Sequence, residues 1–164
     1  MVHVAITVRA APEQIFAVLS DGWLYSSWLV GVTHVRAVDE TWPATGSRIH
    51  YSIGAWPFTV KDTAEVILAI PPYRLELEAT VKPLGSALIR IGLWETRPGE
   101  THIRMYEHLT RGPGIALPRI IQGLLLAPRN QESLSRLAAL TIGRERTGTA
   151  HTEKDPDRSD GPRA

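Results

Sequence analysis

The chain has 164 residues, 43% of them hydrophobic and 21% charged, enough for one domain with its own core. Its 18 basic and 17 acidic residues are interspersed, and the formal charge of +1 excludes the concentrated basic patch of a nucleic-acid binder. No cysteine is present, which removes disulfides, thiolate nucleophiles and cysteine-bound metals.

Val2, Val4, Ile6 and Val8 alternate with polar or small residues, the pattern of a half-buried strand. Pro12 and Glu13 then open a short helix whose buried stripe is Ile15, Phe16, Val18 and Leu19. Asp21-Gly22 ends it and starts a second short turn through Trp23, Leu24, Tyr25 and Trp28. Strands dominate from Gly31 onward. The runs are Val32 to Val38, Ser47 to Ile53, Phe58 to Leu68, Arg74 to Val81, Ile89 to Trp94, and His102 to Leu109, separated by loops rich in Pro and Gly. Behind Gly112-Pro113-Gly114 lies a long segment, Ile115 to Leu140. Its first half, to Ala127, is apolar on nearly every side and needs cover, whereas Leu134, Leu137 and Ala138 form an ordinary helical stripe. Pro118 fits a first turn, and Pro128 is expected to kink or split the helix. The fold class is α+β, a curved antiparallel sheet wrapped around one long C-terminal helix. Residues 1–142 form the domain. Residues 143–164 carry matched charges and almost no aliphatic or aromatic groups, which predicts a disordered tail.

The N-terminus lacks the charged start and apolar run of a signal peptide, and the run from Ile115 to Ala127 falls short of the roughly 20 residues a membrane span needs. Cytoplasmic location without stable membrane insertion is the expectation.

Strand parity gives a testable geometry. If the more aliphatic face of each strand points inward, Tyr51, Asp62 and Glu107 point inward with it. A carboxylate in an apolar interior must be paired or hydrogen-bonded, or its proton affinity rises. Such groups could hold the polar head of a ligand or move protons. The structural alternatives are a bulge that reverses parity, or neutralisation of Glu107 by Arg111 or the start of the long helix. Trp23, Trp28, Trp42 and Trp56 fall in loops or short helices where aromatic walls suit a flat apolar ligand. Simple anchoring of loops is the plainer role for Trp23 and Trp42. Trp94 is expected on the outer face. The six histidines form no set of three or four converging ligands, so no metal site is expected. No nucleophile elbow or phosphate loop is present either, and no cofactor is implied.

Several stretches carry a family resemblance: the PEQIFAVLSD helix, Trp28 before Gly31, TWPATGSRIHY, PPYRLEL, and YEHLTRGPG ahead of the long helix. Together they resemble the START-like superfamily, also called SRPBCC or helix-grip, and its bacterial polyketide cyclase/dehydrase-like branch. That resemblance spans about Val2 to Leu140. It implies a seven-stranded sheet gripping the C-terminal helix, two short helices after the first strand, and a cavity for a small hydrophobic molecule that is aromatic, lipid-like or polyketide-like. The expected lining residues are Trp28, Tyr51, Trp56, Phe58, Asp62, Leu77, Glu107, Leu117, Ile121 and Leu124. Three readings stay open: a binding protein, a polyketide aromatase/cyclase or dehydratase that uses Asp62, Tyr51 and Glu107, and an interaction module with a packed interior. A cavity below about 300 Å3 would favour the third.

Overall fold

A computed structural model describes residues 1–152 except 55, 56, 58, 83, 84 and 117. Seven strands form one antiparallel sheet: β1 (Val2–Val8), β2 (Val32–Val38), β3 (Arg48–Ile53), β4 (Val60–Ile70), β5 (Arg74–Val81), β6 (Gly85–Arg97) and β7 (Glu100–Arg111). Their spatial order is β1-β7-β6-β5-β4-β3-β2, so β2 to β7 run as consecutive neighbours and β1 closes beside β7. The chain crosses from one edge to the other through α1 (Pro12–Leu19), a short 3-10 turn (Gly22–Leu24) and α2 (Tyr25–Trp28). A second 3-10 turn (Pro113–Ala116) leads to α3 (Arg119–Thr152), which packs over β1 and β7 and against α1 and α2. This is the helix-grip architecture. Among the described residues no helix is long and apolar enough to cross a membrane.

Period-2 patterning sets the sheet's two faces. Leu75, Leu77, Ala79, Ile89, Ile91, Leu93, Ile103 and Met105 are buried on the concave face. They join Ile15, Leu19, Tyr25 and Trp28 from the short helices, and Leu134 and Leu137 from α3, in one core. The aromatic residues of α2 and the following loop serve packing. Tyr25 lies 4.9 Å from Trp28 and 5.4 Å from Trp42, ring centre to ring centre. The Tyr25 hydroxyl and the Trp42 indole N–H both donate to the carbonyl of Leu19. Trp23, by contrast, is exposed.

One bulge changes the expected parity. Between Val66 and Leu68 the pairing with β5 shifts, so Val66 opposes Leu77 but Leu68 opposes Glu76 on the outer face. Ile67 is the extra residue and is exposed. The shift lies beyond Asp62, whose inward direction it does not touch.

The long helix differs from expectation in three ways. Its greasy first half is not covered by the described residues: Ile120, Ile121, Leu124 and Leu125 are exposed, and Gln122 is the buried residue of that turn. The stripe that meets the core comes later and is mixed, with Asn130, Ser133, Leu134, Leu137 and Thr141. Apolar residues alone therefore do not mark the buried side. Second, of the expected kink or split at Pro128, the split does not occur, since the helix runs on through it. Proline frees the carbonyl of Leu124, four residues earlier, and both positions lie on the exposed side where water can satisfy it. Third, the helix continues past Ile142 to Thr152, and Arg144 is held to Asp21 by an ion pair of 2.9 Å. Residues 153–164 of the expected tail lie outside the described residues.

Candidate functional site

The inward parity of β3, β4 and β7 brings three polar residues to the concave face. Tyr51 is directly opposite Asp62 across the β3–β4 pair. Glu107 on β7 has Val2 and Ile89 as its strand neighbours, aliphatic on both sides. Tyr51, Asp62 and Glu107 are 2%, 2% and 1% exposed.

Glu107 is neutralised from α3. The Arg129 guanidinium donates through Nη2 to both carboxylate oxygens at 2.6 Å, and the Asn130 amide donates to Oε2 at 2.7 Å. Asn130 is fully buried. The next turn is tied down as well: the Ser133 hydroxyl donates to the carbonyl of Arg129 and accepts from the backbone N–H of Val30. Arg111 takes no part, since it sits 4.0 Å from Glu78 on the exposed rim. Arg129 and Asn130 escape a search for apolar periodicity. Their signal was the polar pair at the point where the helix changes from apolar to amphipathic.

Asp62 is less well served. Its Oδ2 accepts from the backbone N–H of Lys82 at 3.3 Å, and its Oδ1 has no partner among the described residues. Burial raises its pKa above the ordinary carboxylate value, against the opposing hydrogen bond and charge of Lys82. Burial likewise pushes the Tyr51 phenol well up, reinforced by the Asp62 charge. Tyr51 therefore stays a neutral hydroxyl at all ordinary pH. Asp62 can accept a hydrogen bond when ionised or donate one when protonated, whereas both Glu107 oxygens are already engaged by Arg129 and Asn130.

Because its proton is favoured by folding, Asp62 contributes stability below its unfolded-state pKa that is lost as pH rises through the higher folded-state value. We expect the difference in stability between wild type and Asp62→Asn to favour the variant progressively as pH climbs above about 4. Urea midpoints measured across the acid and neutral range check this. A constant difference would mean that Asp62 is not perturbed.

Next to this cluster is a cavity of about 30 Å3 bounded by residues that include Leu29, Val32, Tyr51, Ile89, Glu107 and Arg129. The structure thus brings Tyr51 and Glu107 to one cavity, with Asp62 beside Tyr51. Leu77 is buried on the concave face, and Trp28 is buried in the aromatic cluster with an indole N–H that has no partner among the described residues. Ile121 is 42% and Leu124 73% exposed, and neither is brought to the cavity. Trp56, Phe58 and Leu117 lie outside the described residues.

Comparisons with known proteins agree with this architecture. A START superfamily protein from Mycobacterium smegmatis superposes with a TM-score of 0.71 at 12% identity, over 87% of this chain and 97% of that one. The ZhuI aromatase/cyclase from Streptomyces sp. R1128 superposes with a TM-score of 0.67 at 12% identity, over 87% and 93%. A protein from Rhodobacter sphaeroides gives 0.66 at 22% identity, over 87% and 93%. At these identities the likeness is one of fold. Among curated proteins none matches the sequence. The family model described as polyketide cyclase / dehydrase and lipid transport matches residues 1–140, nearly the whole described domain, and the chain belongs to that family.

Proposed function

We propose that the protein binds a small, mainly apolar molecule between the sheet and α3, with a hydroxyl or carbonyl group of the ligand directed at Tyr51 and Asp62. The observation that carries this reading is the Asp62 Oδ1, which is buried and has no partner among the described residues. A buried acceptor left unpaired is unfavourable by roughly 1–3 kcal/mol, and a ligand donor would relieve that penalty. The neutral Tyr51 hydroxyl beside it supplies a donor for a carbonyl oxygen. Arg129, partly exposed, keeps N–H groups beyond those spent on Glu107. Membership of a family described by cyclase, dehydrase and lipid-transport activities supports a ligand of this class.

Turnover as an aromatase/cyclase or dehydratase would use the same residues, with Asp62 exchanging the proton. Glu107 suits that role less, because both of its oxygens are already engaged. Among the described residues the space beside Tyr51 and Glu107 amounts to about 30 Å3, which favours a different reading, an interior that is simply packed.

Native mass spectrometry of the protein purified from its own host separates these readings. A retained molecule is expected, and Asp62→Asn and Tyr51→Phe should each weaken its rebinding by roughly tenfold, the range of one hydrogen bond. Conversion of that molecule during incubation would indicate turnover. Absence of any retained molecule, together with no binding of apolar fluorescent probes to the interior, would establish the packed module instead.

A further inference from the structure

The outer, convex face of the sheet carries a groove of about 610 Å3, within the range of about 300–1,000 Å3 common for ligand sites. Strand register builds it. Arg74 of β5 lies opposite Gly92 of β6, which lies opposite Arg104 of β7, while Glu76, Arg90 and Tyr106 form the next row. Gly92 leaves a gap in the face, and the Trp94 indole folds back into it. A Cβ on Gly92 would lie 2.4 Å from the Trp94 ring. The Arg104 guanidinium is 5.3 Å from the centre of that ring, a cation–π distance. Tyr73, in the β4–β5 turn, closes one side, and its carbonyl accepts from the Leu93 N–H at 2.8 Å. Trp94 and Tyr73 are nonetheless 49% and 55% exposed.

The polar groups are unevenly matched. Glu76 is buried, and its Oε1 accepts from both Arg74 and Arg90. Burial pushes its pKa up, but the two arginines outweigh burial and hold it below the ordinary value. One carboxylate thus serves two guanidinium groups. The Arg74 Nε is buried without a partner among the described residues. Glu95, at the groove's edge, accepts from the Gly99 N–H in the β6–β7 turn. The groove is left with flat aromatic surfaces and with three planar cations, Arg74, Arg90 and Arg104, against two carboxylates, Glu76 and Glu95.

We propose that this groove is a second binding site, separate from the interior, for a planar aromatic anion such as an aromatic carboxylate. The ring would lie against Trp94 and Tyr73, and the carboxylate would take the remaining N–H groups of Arg74 and Arg90 in the paired geometry that guanidinium favours. The Glu76 bridge holds both arginines in place before the ligand arrives, which reduces the entropy lost on binding.

The test is an NMR titration of the isotope-labelled full chain with naphthoate and, separately, with the neutral naphthalenemethanol. Saturable shifts are expected for the Trp94 indole N–H and for the backbone amides of Arg90, Gly92 and Tyr106. The alcohol should bind about tenfold more weakly, and added salt should weaken only the acid. Trp94→Ala should reduce naphthoate affinity about tenfold, the scale of one stacking contact. Tyr73→Ser, at an exposed turn, serves the same purpose should Trp94→Ala fail to fold. Equal binding of acid and alcohol, shifts centred on Tyr51 and Glu107, or affinity unchanged in the folded variants would overturn the proposal. Tyr51→Phe leaves this titration unaltered, so the interior and outer sites succeed or fail independently.

Discussion

Arg129→Met is expected to destabilise the protein by about 3–5 kcal/mol, because it strands a buried carboxylate without its cation. Glu107 is 1% exposed and has aliphatic neighbours on both adjoining strands. Two of its three hydrogen bonds come from Arg129, and Asn130 alone cannot replace the charge. Glu107→Gln should be milder. It removes the charge rather than exposing it to an apolar medium, and Arg129, with 28% of its side chain exposed, can turn toward water. The double variant Glu107→Gln/Arg129→Met should therefore be more stable than Arg129→Met alone. Urea denaturation of the four proteins at neutral pH gives the coupling energy directly. A loss in Arg129→Met no larger than that of an exposed substitution, about 0.5 kcal/mol, would mean that the ion pair contributes nothing to the fold.

That ion pair also marks the limit of what the sequence discloses. Alternation along β3, β4 and β7 is strong enough to place Tyr51, Asp62 and Glu107 on the inner face, and the structure puts all three there. The same rule fails at Leu68, because a bulge is a backbone event that adds one residue without altering the hydrophobic pattern nearby. It is also silent about Glu76. An outward-facing glutamate reads as solvated, and only the cross-strand neighbours Arg74 and Arg90 bury it. Arg129 was out of reach for a related reason. Its partner lies 22 residues earlier on another element, and charge pairing across such a separation leaves no periodic trace. The family resemblance and the order of elements were legible because both rest on local patterns. The groove around Trp94 was not, since it depends on which strands become neighbours.

The two halves of α3 should respond to substitution in opposite ways. Leu134 is fully buried in the core beside Leu137, and truncation to alanine removes packed atoms and leaves a void. Leu134→Ala is expected to cost about 2–5 kcal/mol. At roughly 2–4 °C per kcal/mol for a chain of this size, the thermal midpoint should fall by several degrees or more. Leu124, one of the most apolar-looking positions in the sequence, is 73% exposed. Leu124→Gln keeps a good helix former and removes no buried contact, so the change should lie within about 0.5 kcal/mol of zero. Thermal and urea unfolding of both variants provide the comparison. A large loss from Leu124→Gln would show that the first half of the helix is covered in solution, by a second molecule or by a bound ligand. A negligible loss leaves the fold anchored by the stripe from Asn130 to Thr141. Ile120, Leu124 and Leu125 would then form a free apolar face at the front of the helix, and their hydrophobicity would have a cause other than stability.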